Sequence, residues 1–506
     1  MSRSERPGGP SVVRTTRLDR GLAGVLVVLV PACGGAPVEP SRERAASLSS
    51  VRYEIAIDDR LEQMTETLCS EGPWTDRLVS IHAEARTRLA SARVVHADGT
   101  EDPIDVGSSG PLTMRTRELA PDDCVRVRLD LGSSGGMSGC MRTSALVMCA
   151  TSAFVLAAEP WRTNARHRVR LVLPEGASMS PIFGEDEEGL YLDERSHRYV
   201  GYAAFGALTR REIPVPGGCT TVVLPASSPL AASPHFVPWV ARAGRASAMI
   251  TGLATARGAT ITAIPMPGDT PVLFGMAGRG TRPSVIALVA EDPPASLETD
   301  WTLVHELAHL ATPYVPSEDA WLSEGLATYY QEVNRARAGM QSAEQAWREI
   351  DDGLRRGARD GTGVTLRIES REMQASRAYT RVYWGGAAIV MSIDVALRTR
   401  GLGTLDARIA RVADRHDSTL SAEALLAAFD DDDRVVRDIV ASWLDTATFP
   451  DLREAYAALG LTRREDGTLG FEGDPSLRDA IMNPPVEIAS NGTCPAIPPQ
   501  DPGHIE

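Results

Sequence analysis

Two histidines four residues apart, with a glutamate between them, constrain the fold of this chain more than any other feature. The segment reads "VHELAHL" (304–310) and contains His305, Glu306 and His309. A chain of 506 residues with nine His would contain His-Glu-x-x-His by chance only about 0.01 times. Residues four apart share one face of an α-helix, so both imidazoles can reach a single metal ion if this segment is helical. We therefore predict a helix here, capped by Thr299 or Asp300.

A second segment offers a third metal ligand. A catalytic zinc site needs three protein ligands and one open position. The stretch "SEDAWLSEGLATYY" (317–330) predicts a helix capped by Ser317, with Glu324 about a turn and a half inside it. A helix that returns across the first would bring Glu324 to the metal. Glu318 and Asp319 are alternatives, but their place at the helix start suits capping and the helix dipole better.

These residues predict one Zn²⁺ per chain, with His305, His309 and Glu324 as ligands. Glu306, next to the first ligand, would lie beside the metal and accept a proton from water as a general base. The other interpretation is that the histidines are ordinary core residues and that Glu324 is a surface carboxylate.

Composition excludes several other functions. The formal net charge is −15 and the pI is near 5.2, which argues against nucleic acid as a partner. All 52 basic residues are arginines, because the sequence contains no lysine. A P-loop, a Schiff-base lysine and a Ser-x-x-Lys pair are therefore excluded.

The N-terminus resembles a bacterial lipoprotein signal. Arg14, Arg17 and Arg20 precede the apolar run "GLAGVLVVLVPA" (21–32), which is too short to span a bilayer and is followed by Cys33. We predict a signal peptide over 1–33 with lipidated Cys33, then a flexible tether over 34–50. The chain would then be exported from a bacterial cytoplasm and anchored to the cell envelope on the periplasmic or cell-surface side. The alternative is an ordinary signal peptide with an incidental cysteine.

Six further cysteines agree with export to an oxidising compartment. An even number predicts up to three disulfides, whose pairing the sequence leaves open. Cys140 and Cys149 would close a short loop, and Cys494 is a candidate to pin the C-terminal tail.

The periodicity of apolar residues divides the rest of the chain. Short period-two runs predict an all-β N-terminal domain over 51–226, of sandwich type. A "GSSGG" stretch around Ser134 matches Gly-x-Ser-x-Gly, but it is interpreted as a flexible loop because no strand-to-helix turn follows. A helix near 228–245 and strands at 259–267 and 284–290 open the catalytic domain (227–335). Helical spacing predicts a C-terminal domain over 336–480, and the Pro-rich stretch 481–506 predicts an extended tail.

The two segments "HELAHL" and "WLSEGLATYY" together resemble the gluzincin metallopeptidases. In that family His-Glu-x-x-His is followed on the next helix by a Glu in a Trp-x-x-Glu-Gly context. The resemblance implies that His305, His309 and Glu324 are zinc ligands and that Glu306 is the general base. The segment "YTRVYWGGAAIVMSIDVALRTR" (379–400) is similar to a segment of the glycyl-aminopeptidase branch and of thermolysin-like aminopeptidases. That similarity implies that Tyr383 stabilises the oxyanion, with Tyr379 as the fallback.

The resemblance also implies an architecture and exposes two departures. It implies an α+β multidomain fold, with a β-sandwich-like N-terminal domain, a thermolysin-like α+β catalytic domain and an α-helical C-terminal domain. The interval between His309 and Glu324 is shorter than in many members. The family's aminopeptidases hold the substrate amine with a Glu ahead of the zinc helix, whereas the corresponding stretch "FGMAGRGTRPSV" (274–285) carries Arg279 and no Glu.

These observations predict a zinc metallopeptidase that acts on a peptide or protein substrate. We expect the strand at 284–290 to be the sheet edge to which an extended substrate adds. Arg279 at its entrance would suit a substrate carboxylate or the peptide backbone. The alternatives are an inactive binding or scaffold lipoprotein that keeps the fold, and another kind of zinc hydrolase. The substrate-binding residues stay unknown at this point.

Overall fold

The computed structural model describes residues 50–80, 82–132, 139–160, 165–193, 195–196, 201–413, 418–430 and 434–495. The predicted signal peptide, Cys33, most of the tether, Ser134 and the end of the tail lie outside these residues. Within them, no helix has both the length and the apolar character needed to cross a membrane.

The N-terminal part is built from short strands, as predicted. In sequence order they are β1 Val51–Ile57, β2 Gln63–Ser70, β3 Arg77–Ser80, β4 Leu89–Val95, β5 Glu101–Pro103, β6 Leu112–Arg115, β7 Cys124–Asp130, β8 Cys140–Arg142, β9 Leu146–Ala150, β10 Ala157–Glu159, β11 His167–Val172, β12 Ser178–Met179, β13 Gly184–Asp186, β14 Gly189–Leu192 and β15 Tyr202–Gly206. A short helix, α1 (Ala83–Arg88), lies between β3 and β4.

These strands form three sheets around one core. An eight-stranded sheet has the order β13-β14-β11-β1-β2-β7-β4-β5, a three-stranded sheet β10-β3-β6, and a four-stranded sheet β12-β15-β9-β8. Alternate residues of β1, such as Tyr53 and Ile55, are buried while those between them are more exposed. They meet Leu78 and Met114 of the three-stranded sheet and Val147 of the four-stranded sheet in one hydrophobic cluster. The apolar side chains at alternate strand positions therefore form the core that holds the three sheets together.

A five-stranded sheet follows and supports the candidate site. Its strands are β16 Leu208–Val215, β17 Gly218–Pro225, β18 Thr260–Met266, β19 Val272–Gly278 and β20 Ser284–Ala290. Their spatial order is β16-β17-β18-β20-β19, with β17, β18 and β20 mutually parallel. The first two strands were assigned by periodicity to the N-terminal domain, yet they pair into this sheet. The change from one set of sheets to the next thus falls near residue 207, ahead of the predicted 226.

The sheet order also corrects the predicted substrate edge. Strand β20 (284–290) lies between β18 and β19, so both of its sides are paired and it is not an edge. The edge strand next to β20 is β19, which the sequence analysis did not identify as a strand. Its two glycines and the absence of apolar–polar alternation hide the β pattern, and the order of strands depends on pairing between distant segments.

Helices make up most of the remaining chain. They are α2 Phe236–Ala246, α3 Thr302–His309, α4 Ala320–Arg337, α5 Ala343–Arg359, α6 Leu366–Arg371, α7 Met373–Ser376, α8 Tyr379–Thr399, α9 Leu405–Ala413, α10 Ala422–Phe429, α11 Val435–Trp443, α12 Arg453–Ala458 and α13 Ser476–Met482. A two-stranded pair, β21 Thr462–Arg463 and β22 Leu469–Gly470, separates the last two. This distribution confirms the predicted α+β organisation at the level of a β-rich N-terminal part, a mixed middle and a helical C-terminal part.

The helical core is continuous across the predicted boundary at 335. Trp321 and Tyr329 of α4 share one buried cluster with Trp347 of α5, Ile389 of α8 and residues as far as Met482. Helix α4 therefore belongs as much to the C-terminal helices as to the sheet. It joins the two parts because one of its faces meets α3 and the others meet α5 and α8.

Three disulfides tie the described chain together. They join Cys69 to Cys124, Cys140 to Cys149, and Cys219 to Cys494. The second confirms the expected short loop, and the third pins the C-terminal segment to β17. Disulfides are typical of exported proteins and rare in the cytosol, so they agree with the predicted export.

Candidate metal centre

Helix α3 carries the His-Glu-x-x-His segment and is buried on most of its circumference. Leu303, Val304 and Leu307 pack into the core under the five-stranded sheet. The carboxylate of Asp300 accepts a hydrogen bond of 2.8 Å from the amide of Thr302, in the first turn. Of the two predicted capping residues, Asp300 is thus the one that binds the start of the helix.

Helix α4 brings the third predicted ligand across α3. It begins at Ala320, after a 3₁₀ turn at Ser317–Asp319. Ser317 opens that turn and its side chain does not cap α4, so this detail of the prediction is wrong. Glu324 lies in the second turn of α4 and is only 4% exposed, facing α3.

The structure brings the three predicted ligands into one cluster. His305 Nε2 lies 3.2 Å from His309 Nε2 and 3.3 Å from a carboxylate oxygen of Glu324. The same oxygen lies 3.4 Å from His309 Nε2. Among the described residues this is the one group of His, Cys, Asp and Glu side chains with metal-binding spacing. Glu318 and Asp319, the alternatives, are not part of it.

The three donor atoms fit Zn²⁺. With bonds of about 2.0–2.1 Å, a tetrahedral ion has ligand atoms about 3.3 Å apart. The observed triangle, with sides between 3.2 and 3.4 Å, matches that spacing. Two imidazoles and one carboxylate are also a known donor set of catalytic zinc, and they leave the fourth position open.

Glu306 lies beside the cluster and is held by the edge strand. Its Oε2 accepts a hydrogen bond of 2.8 Å from the amide of Ala277 in β19. The approach is close because β19 has a glycine at position 275, where a Cβ atom would lie 2.9 Å from Cγ of Glu306 and 2.7 Å from Cγ2 of Thr302. Gly275 therefore allows α3 to pack directly against the edge of the sheet.

Tyr383 reaches the cluster through a close crossing of α4 and α8. The helices touch at Gly325 and Gly386, where a Cβ atom on Gly386 would lie 2.0 Å from the carbonyl oxygen of Trp321. Tyr383 precedes Gly386 by about one turn, and its ring stacks on that of His305 with centroids 5.9 Å apart. The fallback Tyr379 instead donates a hydrogen bond of 3.0 Å to Gln374.

Gln331 is a site residue that the sequence analysis missed. Its Oε1 lies 2.8 Å from His305 Nδ1, on the side of the ring opposite the cluster. It follows Glu324 by seven residues, or two helical turns, so both side chains lie on the face of α4 that meets α3. That spacing is the signal that could have identified it.

The protonation states of the side chains in and around the cluster depend on their burial and on the charges of their neighbours. Burial alone would raise the pKa of Glu324, but the charge of His309 and hydrogen bonds from His305 and His309 outweigh it and lower that pKa to about 2. Burial raises the pKa of Glu306, and the two histidines oppose this rise. Burial, followed by the charges of Glu324 and Glu306, raises the pKa of Tyr383 well above its usual value. At neutral pH Glu324 is a carboxylate and Tyr383 keeps its proton.

Arg279 makes contacts within the protein that the sequence analysis did not predict. Its guanidinium donates to the backbone carbonyl of Thr312 at 2.8 Å and also to that of His309. A cation at the C-terminal end of a helix is favourable, because unpaired carbonyls and the helix dipole carry negative charge there. Arg279 thus binds the carbonyls at the end of α3.

Comparison with known proteins gives matches by structure alone. No protein-family model matches the sequence, and no curated protein matches it either. An aminopeptidase N family protein from Idiomarina loihiensis is similar with a TM-score of 0.63 at 14% identity, covering 81% of this chain and 78% of that one. Yeast LTA4 hydrolase in its native form gives a TM-score of 0.53 at 13% identity. Its complex with bestatin gives 0.51 at 12% identity, and both cover 80% of this chain and 68% of theirs.

These similarities extend the resemblance seen in two short segments to the fold of most of the chain. At 12–14% identity they establish the fold alone. They agree with the general resemblance to gluzincins and do not single out the glycyl-aminopeptidase branch, which stays a prediction.

Proposed function

We propose that this chain is a zinc-dependent metallopeptidase of the gluzincin type, with His305, His309 and Glu324 as zinc ligands. The observation that carries the proposal is the triangle of donor atoms with sides of 3.2–3.4 Å, with Glu306 beside it. The fold shared with an aminopeptidase N family protein and with LTA4 hydrolase supports it independently.

The residues around the cluster have the chemistry that peptide hydrolysis needs. When bound, Zn²⁺ would lower the pKa of a coordinated water and polarise the scissile carbonyl. Glu306 would take a proton from the attacking water and deliver it to the leaving amine. The amide of Ala277 fixes one oxygen of Glu306, which leaves the other for this proton transfer. The protonated Tyr383 would donate a hydrogen bond to the oxyanion.

The edge strand β19 offers a surface for an extended peptide. Along a strand, backbone groups point alternately to its two sides. The amide of Ala277 points away from β20, because it binds Glu306. The amide and carbonyl of Gly275, two residues earlier, therefore face the same side, away from β20. We infer that the substrate backbone pairs there as an added strand, next to Glu306.

Export and anchoring complete the proposal. We propose that the chain acts outside the cytoplasm, held to the envelope by a lipid on Cys33. Labelling cells with a radioactive fatty acid tests this: the wild-type chain should carry the label and a Cys33→Ser variant should not. An unlabelled wild-type chain would exclude the lipid anchor and leave the peptidase proposal intact.

Turnover with matched variants tests the catalytic proposal. A soluble form beginning near Ser41 would be incubated with a mixed peptide library and the products analysed by mass spectrometry. We expect Glu306→Gln to lose cleavage by at least about 10³-fold, since the proton acceptor is gone while the ligands remain. Glu318→Gln, an equally conservative change on the exposed 3₁₀ turn, should keep wild-type activity.

The products of the same experiment distinguish the possible activities. The positions of the cuts separate removal of terminal residues from cleavage inside the chain. Zinc binding without cleavage across the library would favour the inactive scaffold over the peptidase. Wild-type activity in Glu306→Gln would refute the assignment of the general base.

A further inference from the structure

Behind His305, on the side away from the donor cluster, lies a chain of buried polar side chains on α4. We propose that Gln331 and Glu332 act as a positioning relay, which determines which ring nitrogen His305 offers to the metal. This inference rests on the metal site of the proposed function and is independent of peptidase activity. It follows from the order of hydrogen-bond donors and acceptors along the chain.

Glu332 fixes the orientation of the Gln331 amide. Gln331 Nε2 lies 2.9 Å from Oε1 of Glu332. The other oxygen of Glu332 accepts hydrogen bonds of 2.7 Å from Arg335 and from Gln341. A carboxylate paired with a guanidinium can only accept, so the group of Gln331 that faces it must be the amide NH₂. The carbonyl oxygen of Gln331 must then face the other way, towards α3.

The fixed amide determines the tautomer of His305. Oε1 of Gln331 lies 2.8 Å from His305 Nδ1 and can only accept, so Nδ1 carries the hydrogen. Nε2, which lies 3.3 Å from the Glu324 oxygen, is then the ring nitrogen that is left to bind the metal. With the amide reversed, an N–H would face Nδ1 and the hydrogen would move to Nε2, where it would block metal binding.

Burial makes this relay effective. Gln331 is 6% exposed, Glu332 3% and His305 3%, so water does not replace a lost partner. Arg335 also donates a hydrogen bond of 2.8 Å to the carbonyl of Thr299, at the end of the turn that precedes α3. The same network therefore holds the ring of His305 and the chain just ahead of its helix.

Zinc affinity measured by competition with a chelator tests the relay. Gln331→Met keeps the length of the side chain and removes the acceptor, so we expect Zn²⁺ to bind about 10–100-fold more weakly. Gln341→Met is the matched control, because it removes the two bonds from Gln341 to Glu332 and leaves the bond between Gln331 and Glu332 in place. Its Zn²⁺ affinity should stay within twofold of the wild type.

Two further variants separate a relay from a general loss of packing. Glu332→Gln should weaken Zn²⁺ binding in the wild-type background. The new amide at position 332 can both donate and accept, so it no longer fixes the orientation of the Gln331 amide. In the Gln331→Met background Glu332→Gln should add no further loss. The exchanged pair Gln331→Glu with Glu332→Gln should restore wild-type affinity or better, since a carboxylate then accepts from Nδ1 and the neighbouring amide donates to it.

Each result decides the matter. Gln331→Met with an affinity within twofold of the wild type, or an exchanged pair as weak as Gln331→Met, would overturn the relay while the zinc site stands. A wild-type chain that binds no Zn²⁺ would overturn the proposed function and the relay with it. The unfolding midpoint of the metal-free variants shows that each is folded.

Discussion

The crossing of α4 and α8 allows a sharp test of how Tyr383 is positioned. In a Gly386→Ala variant the new Cβ would lie 2.0 Å from the carbonyl oxygen of Trp321 and 2.9 Å from the Cα of Gly325. Both obstructing atoms are backbone, so no side chain can rotate away. A carbon and an oxygen need about 3.2 Å or more between them, so the two helices must separate by roughly 1 Å.

The cost of that separation can be estimated. Overpacking a core costs about 1–3 kcal/mol, and the upper end applies here because backbone must move. Replacing a helical Gly by Ala returns about 1 kcal/mol. The net loss of about 2 kcal/mol should lower the unfolding midpoint by about 4–8 °C. A shift of 1 Å at Tyr383, one turn away, should lower kcat/KM by about 10²-fold.

Gly385→Ala provides the control for this experiment. It adds the same atom to the adjacent residue of α8, where the nearest neighbour is a methyl group of Leu366 at 3.2 Å, which can shift. Thermal unfolding followed by circular dichroism and peptide hydrolysis would be measured for both variants. Equal midpoints and equal kcat/KM for the two variants would refute the view that the glycine contact sets the position of Tyr383.

Two other predictions concern the edge strand and the N-terminal core. Gly275→Ala should push Glu306 aside and reduce hydrolysis at least about tenfold without loss of zinc. Gly280→Ala is the control and should have no effect, because the atoms nearest to its Cβ would lie at 3.9 Å, an ordinary contact distance; equal activity of the two would contradict the tight packing. Glu66 is fully buried, has one carboxylate oxygen without a partner among the described residues, and has a pKa raised by burial. In the unfolded chain the Glu66 carboxyl loses its proton near pH 4.5, whereas in the folded chain it keeps the proton to higher pH. The free energy of unfolding of the wild type therefore falls as the pH rises above 4.5. Glu66→Gln should therefore gain about 1 kcal/mol or more over the wild type between pH 4.5 and pH 8 in urea titrations, and a gain independent of pH would count against it.

The sequence predicts the cluster well because its geometry is mostly local. His305 and His309 share a face as soon as α3 forms, and Glu324 lies at a fixed depth in the next helix. The one non-local requirement is that α4 returns across α3, which the short connection between them favours. The position of Tyr383 is less local, since it depends on the contact of Gly386 with α4 some sixty residues earlier in the chain.

Features that depend on distant pairing could not be predicted. The place of β20 inside the sheet, and of β19 at its edge, is determined by hydrogen bonds between strands and not by the composition of either segment. From the sequence, Arg279 is an arginine that follows a strand, with no partner indicated nearby. Only the position of the end of α3 in the fold shows what it binds. Gln331 is one polar residue among several on α4 until the face that meets α3 is known.

The zinc content of the purified protein tests the central claim most directly. After exhaustive dialysis against a weak chelator, the soluble chain should retain one Zn²⁺ per molecule. A Glu324→Gln variant should retain less than about one tenth of that amount, because loss of a charged ligand leaves two imidazoles. Glu318→Gln should match the wild type. Absence of zinc from the wild-type chain, or full retention in Glu324→Gln, would contradict the assignment of this cluster as a metal centre.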